Sequence, residues 1–498
     1  MGQWGPIIFA LAYFVILIGL ANFYTHKKAK NLEGFMYGGR SVTWGLVALT
    51  LSLIPHGSGH TMSLWESSTT MGVSVYWWAI IAGGVFIPML MLWFGPWVRK
   101  TGADTIAEVM EKLYGSKMRY VQGAINIASW TGITMAETIA IGGAIYALSG
   151  GQLPLFPWCI IIAFLLLVCY VVFGGVLELV WVSTINAVVM TIGSYLSLFF
   201  IGLWLTANAA GWDGVVQAYS AVDKSWMLNM FNFSPDIITK VIVPVTVLHV
   251  AACSVAQGMY SPMLAAKSDA DCRKGFYICT LSNIITAFPW TIMAIIGMTL
   301  PQFASAGGKL VVFQLAMAAL PKWLYGLLIV SLLAAVLSAG AGQVFGNATV
   351  LVNDFLKRAL FPKMSDETRM KLMKPGIVFI ALLAVIPAFF APVLFPVFIW
   401  CFSFGIPVFV IFVYGLVWKT SKSAAWITLI VAIVIDFWWT FATPAWATTS
   451  FWGLNMYPVT VVSFVLGTIL FAVLPGEKGY LKRIHDNKSS QVDINAVC

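Results

Sequence analysis

Leu51-Ser-Leu-Ile-Pro-His-Gly-Ser-Gly-His60 lies inside an apolar stretch, 42–68, that is long enough to cross a lipid bilayer. A continuous helix is not what this stretch encodes. Pro55 removes a backbone donor, and Gly57 and Gly59 each weaken a helix by about 1 kcal/mol relative to Ala. The reading is a membrane-length segment that unwinds at its centre. A second stretch, 239–264, has the same character, with polar or small residues from His249 through Ala251, Ala252, Ser254 and Gln257-Gly258 to Pro262. Interrupted segments at corresponding positions of two halves point to a binding site near the bilayer midplane. The half-helix amides beyond the first break would face an anionic group.

The rest of the chain supplies the membrane context. Of 498 residues, 60% are apolar and only 9% charged, against about 25% charged in ordinary soluble domains. A water-facing globule is excluded. Apolar runs of spanning length recur at 5–24, 42–68, 72–98, 121–148, 155–173, 177–208, 239–264, 276–301, 322–354, 375–391, 394–418, 424–446 and 454–474, giving about 13 transmembrane helices in one all-α polytopic unit, 1–475, followed by a polar tail, 476–498. Seven cysteines is an odd number, and Cys159, Cys169, Cys253, Cys279 and Cys401 fall inside apolar runs, so no disulfide framework is implied. Between the third and fourth spans, Ile106, Val109, Met110 and Leu113 have helical spacing in a segment too short and polar to cross; a surface helix capped by Asp104 or Thr105 is expected.

The net charge of +9 raises the question of nucleic acid, anionic lipid or topology. Distribution answers it. Assigning connections alternately to the two sides leaves only Lys224, Lys240, Lys309 and Lys322 on one side and the other 24 of the 28 Lys and Arg on the opposite side. This is a positive-inside signature. It places the N-terminus outside and the C-terminal tail in the cytoplasm of a multi-pass protein of the plasma (inner) membrane, and leaves nucleic-acid binding without support. The first span has no basic flank before it and His26, Lys27, Lys28 and Lys30 after it, so it reads as a retained helix.

Five short marks then resemble a known family. Gly38-Gly-Arg-Ser41, Thr105-Ile-Ala-Glu-Val-Met-Glu-Lys-Leu-Tyr-Gly115, Val172-Phe-Gly-Gly-Val176, Leu264-Ala-Ala-Lys-Ser268 and Leu333-Ala-Ala-Val-Leu-Ser338 stand in the order found in the sodium:solute symporter family. The resemblance implies a leucine-transporter-like fold: a 5+5 inverted repeat, with core repeats at about 42–208 and 239–418, one peripheral helix before them and two after. It also implies that His249 contacts solute and that Gln257 is a polar wall of the pocket.

Several intramembrane residues are candidates for chemistry. His56 and His60 are four apart in the first interruption, His249 and Cys253 four apart in the second, so three of five histidines fall on the two broken helices. A membrane histidine is ordinarily an interhelix hydrogen bonder, and the coincidence across paired helices argues for more. Glu137, in the middle of the fourth span, is costly there unless paired or facing a cavity; it suits a proton, a cationic solute group or a neighbouring His. Trp130, two turns earlier on the same face, is the best-placed pocket aromatic among 22 Trp. Asp436 lies outside the ten-helix core and reads as structural.

The function expected is secondary active transport of a small organic solute with a carboxylate or zwitterionic head, by alternating access, with solute-contacting residues His56, Ser58, His60, Trp130, Glu137, His249, Cys253 and Gln257. Ala substitution of His249 or Gln257 is expected to weaken solute binding. A transition metal or metal chelate is the alternative cargo, since His56, His60, His249 and Cys253, with Met62 and Met259 nearby, are borderline-soft ligands. A membrane-embedded haem protein or enzyme is a remote third, as no hydrolase, kinase or redox motif is present. No resident cofactor is expected.

The driving ion is where the sequence departs from the family. There, two carbonyls, placed by the resemblance at Pro55 and Ser58, meet a pair of adjacent hydroxyls on the ninth span. Here the pair reads Ser338-Ala339, and the stretch Trp181-Val-Ser-Thr184 that matches the family's acidic position early in the sixth span offers Ser183 and no carboxylate, Glu178 five residues earlier pointing from a different face of the helix. A hard cation needs several oxygen ligands, whereas His56 titrates near neutral pH. Sodium is the coupling ion by family, and the site residues favour a proton carried by His56 or Glu137, or uncoupled exchange.

Overall fold

The computed structural model describes residues 5–149, 151–305, 307–308, 310–389, 400–442, 450–451, 454–455 and 457–486, with side chains at Ser58, Gly59, Ala147 and 450–455 left aside. Parts of the tenth to thirteenth expected spans, Lys309, and tail residues 487–498 with Lys488 lie outside the described residues.

Every expected span has a helix over its described residues. In chain order these are Gly5–Thr25, Trp44–Leu51 with Ser58–Met71, Val73–Thr101, Ser116–Leu148, Leu155–Cys169, Gly175–Asn208, Pro235–Val255 with Gln257–Leu264, Phe276–Met298, Lys322–Leu360, Asp366–Ala388, Trp400–Trp418, Lys422–Ala442 and Pro458–Val473. Nine helices among the described residues, the one starting at Asp269 included, are long and apolar enough to cross a membrane. The second span is broken over residues 52–57, where Pro55 and Gly57 stand, with Gly59 already inside the second half-helix, and the seventh is broken at Ala256 after a 3-10 turn.

The fourth helix starts at Ser116, earlier than its apolar run. Its polar first turn is accommodated because Arg119 pairs with Asp354 and Glu111 at the surface end. The two short strand pairs, Lys419–Thr420 with Glu477–Lys478 and Ser450–Phe451 with Leu454–Asn455, were not expected in an all-α chain. The first ties the beginning of the tail to the end of the eleventh span.

Helix Lys322–Leu360 is the axis of the bundle, with 94% of its apolar window buried. It can be central because it is built from small residues that let other backbones approach. A Cβ added at Gly346 would collide with the backbone of Gly258, and one at Gly342 would press on Ile54, so both broken helices pass directly against this axis. The first helix is peripheral: Ile8, Phe23 and Tyr24 are each more than 60% exposed, as an apolar face turned to lipid would be.

The expected surface helix forms over Ile106–Tyr114, and Thr105 caps it, its Oγ1 accepting the Glu108 amide at 3.0 Å. Ile106, Val109, Met110 and Leu113 face inward. Around it, Arg99–Asp269, Arg119–Asp354, Arg358–Glu111 and Arg40–Asp104 pairs gather the basic residues of the first half, the seventh-to-eighth connection and the end of the ninth span at one end of the molecule.

Candidate functional site

Helix Trp44–Leu51 ends in turns, with the Leu53 amide bonded to the Thr50 carbonyl and the His56 amide to the Leu53 carbonyl. Gly57 then opens the second half-helix, its carbonyl accepting from the His60 and Thr61 amides at 3.0 Å each. His56, in the break, and His60, in the first turn of the second half-helix, come together with ring centroids 4.5 Å apart. His249 of the seventh span closes on His60 at 5.9 Å, and Trp78 of the third lies 5.8 Å from His60 and 6.2 Å from His249. All three imidazoles are buried.

Two of these rings are anchored at one nitrogen. His56 Nε2 lies 3.0 Å from the Asn283 carbonyl, and His249 Nδ1 lies 3.3 Å from the Val245 carbonyl. Carbonyls only accept, so those nitrogens carry the hydrogens, an assignment made from the partners. Among the described residues, His56 Nδ1, both ring nitrogens of His60 and the Trp78 indole nitrogen find no hydrogen-bond partner. Buried polar atoms are normally satisfied, and a concentration of exceptions marks a place where something else binds. Such a cluster can donate hydrogen bonds to an anionic group.

The fourth helix reaches both breaks. Glu137 packs its carboxylate against Gly57, where an added Cβ would collide with it, and Asn126 Oδ1 accepts the Gln257 amide at 3.1 Å, capping the second half-helix of the seventh span. Eleven residues separate them, about three turns, so one face carries both. Trp130, on that face, packs edge-on against Phe402 at 5.4 Å rather than against the histidines.

The second break is reached by a change of helix type. Leu248–Ala252 is wound as a π-helix, Cys253–Val255 as a 3-10 turn, and Ala256 is extended before Gln257–Leu264 begins. Cys253, four residues after His249, begins that 3-10 turn and is buried. Among the described residues no group of three or more His, Cys, Asp or Glu is disposed to hold a metal ion. Gln257 is placed elsewhere than the resemblance implies: its Oε1 accepts the Ile106 amide at 2.9 Å and its Nε2 reaches the Asp104 carbonyl at 3.4 Å, so it holds the surface helix.

Pro55 sits at the first break, and the Ser58 side chain lies outside the described residues. Ser338 and Ser183 are brought together by a residue that sequence reading missed, Tyr170. Its hydroxyl is 2.5 Å from Ser338 Oγ, 3.4 Å from Ser183 Oγ, and accepts from Asn186 Nδ2 at 2.8 Å; Ser338 also donates to the Ala334 carbonyl at 2.8 Å. Tyr13 of the first helix donates to Asn186 Oδ1. The available signal was a lone phenol in the apolar run 160–173. Asp436 stands apart, accepting from Ser403 at 2.6 Å.

Known proteins match this architecture. The model of the sodium:solute symporter family matches residues 35–434. A sodium/glucose cotransporter of Vibrio parahaemolyticus is 22% identical over 86% of this chain and 83% of its own, and a sodium-coupled monocarboxylate transporter 2 of Bos taurus is 24% identical over 73% of this chain and 60% of its own. The solved structure of a sodium-coupled sialic acid symporter, outward-open and substrate-bound, superposes with a TM-score of 0.78 over 95% of this chain and 98% of that one, at 17% identity. That likeness shows the leucine-transporter-like fold. The chain thus belongs to the sodium:solute symporter family, as a multi-pass membrane protein that is a secondary transporter and not an enzyme.

Proposed function

We propose that the protein carries a small organic solute with a carboxylate or zwitterionic head, held where the second span breaks, among His56, His60, His249 and Trp78, with Glu137 beside it. The observation that carries this reading is the set of buried, unpartnered nitrogens on His56, His60 and Trp78. The N–H groups of His60 and Trp78 would donate to a carboxylate, and hydrogen bonds to an ionised acceptor are about twice as strong as neutral ones. A relative named for monocarboxylates supports the same class of solute. A metal cargo has no comparable support, because among the described residues no group of three or more His, Cys, Asp or Glu is disposed to hold a metal ion.

Coupling through the usual sodium position is proposed to be weak. Ala339 supplies no hydroxyl, and the Ser338 hydroxyl is engaged by Tyr170 and by the Ala334 carbonyl. A cation arriving there would have to break bonds worth about 1 kcal/mol each before gaining ligands. A proton on His56 or Glu137, or exchange of solute for solute, drives the cycle instead. The clustering of basic residues at one end supports a cytoplasmic location for that end, with the N-terminus outside and the protein in the plasma (inner) membrane.

The test is thermal unfolding of the purified protein against small carboxylates, amino acids, betaines and sugars, since a ligand of the native state raises its apparent stability. A carboxylate or zwitterion should stabilise the wild type, and His60→Phe and His249→Ala should abolish that shift. Stabilisation by such a solute that survives both substitutions would misplace the pocket.

A further inference from the structure

We propose that Gln257 is the latch of a gate at the basic end of the molecule: it holds the second half-helix of the seventh span, Gln257–Leu264, against the surface helix and closes the route from the second break to that end. Two bodies meet there. On one side, Arg119 pairs with Asp354 and Glu111, and the Thr105 hydroxyl donates to Asp354 at 3.0 Å, which fixes the surface helix to the fourth and ninth spans. On the other, a parallel bridge between Val42 and Ala266 ties the end of Gln257–Leu264 to the start of Trp44–Leu51. The Val42 amide donates to the Ala265 carbonyl at 3.1 Å, and the Lys267 amide donates to the Val42 carbonyl at 2.9 Å. Arg99 Nη1 adds bonds to the Met263, Leu264 and Ala266 carbonyls at 2.8, 3.2 and 3.1 Å. The halves of both broken spans that lie toward this end are thereby one body.

Gln257 stands where the two bodies join. Its own amide is taken by Asn126 of the fourth span, while its side chain takes the Ile106 amide and reaches the Asp104 carbonyl. This joint is built to open. Ile106 is the first residue of the surface helix, so its amide has no partner within that helix, and water can take it over once Gln257 leaves. Next to Gln257, Gly258 lies on Gly346 with no room for a methyl group on either, so neither residue has a side chain to disengage when the helices part. Ala256, just before, is extended and sits between two helical segments, the kind of element-end position that absorbs a change of dihedral angles. Lifting Gln257–Leu264 away would uncover Cys253, which is buried at the second break. Cys159, buried at the start of the fifth span and so at the opposite end of the molecule, would stay covered.

The experiment is labelling of the native cysteines of the full-length protein in detergent with a water-soluble maleimide, followed site by site by mass spectrometry; no solute is needed. Gln257→Leu is expected to raise the rate at Cys253 about fivefold, the effect of one lost hydrogen bond on the balance between closed and open forms. The rate at Cys159 should not change. Asn126→Ala, which releases the Gln257 amide from the fourth span, is expected to act in the same direction. An unchanged rate at Cys253 in both variants overturns the proposal. So does a parallel rise at Cys159, which would mean a general loosening of the fold rather than the opening of a gate.

Discussion

Gly57 has no room for a methyl group, because the Glu137 carboxylate occupies that space. Gly57→Ala must displace that carboxylate, the far end of a flexible side chain, and is expected to destabilise the protein by about 1 kcal/mol, the low end of overpacking costs. Adding Glu137→Ala should recover part of that loss in thermal unfolding, whereas strictly additive effects would show that the two residues do not press on each other. This pair was half legible: Pro55, Gly57 and Gly59 announce a break by their own backbone chemistry, and Glu137 announces itself by the cost of a carboxylate at midspan. Their contact, between positions eighty apart, was not. The same holds for Gln257. Its polarity in a broken segment pointed to the pocket, but which polar group it satisfies depends on where the surface helix docks, and Gln257→Ala is now expected to loosen that helix while leaving carboxylate affinity within about threefold. A larger loss of affinity would return Gln257 to the solute wall.

The surface helix Ile106–Tyr114 is held by Gln257 from the seventh span, Asp354 and Arg358 at the end of the ninth, and Arg119 from the fourth. Its pH response follows from Glu111. Partial burial pulls that carboxyl upward, but hydrogen bonds from Arg358 and Arg119 outweigh it and hold the group below its ordinary value. A folded-state value below the unfolded one, about 4.3, adds stability present above that pH and lost as pH falls through the folded value. Protection of amides 106–114 from hydrogen exchange, corrected for intrinsic rates, should therefore drop on acidification below about pH 4, and Glu111→Gln should show reduced protection already at neutral pH. Unchanged protection in that variant would mean the ion pairs do not hold the helix. At this scale the sequence was most readable: period, capping and apolar length gave the spans and the Thr105 cap. Helix type was not readable, since the π-helical winding of Leu248–Ala252 is set by packing.

Across the whole molecule, helix Lys322–Leu360 joins the two breaks, and its Ser338 is tied through Tyr170 and Asn186 to Tyr13 of the peripheral first helix. Ala339 was visible as a missing ligand; the phenol that engages the remaining hydroxyl was not, because it comes from another helix. Restoring the pair by Ala339→Ser while freeing it by Tyr170→Phe is expected to create or strengthen a sodium-dependent rise in Tm, and failure of the double variant to do so would mean that other ligands are also missing. The direct test of coupling is uptake into proteoliposomes of the best-stabilising carboxylate or zwitterion, under separately imposed sodium and proton gradients. Accumulation is expected to follow the proton gradient or to require internal solute for exchange, with any sodium response surviving Ser338→Ala. Strong sodium-driven accumulation that Ser338→Ala abolishes would contradict this and restore the ordinary family mechanism.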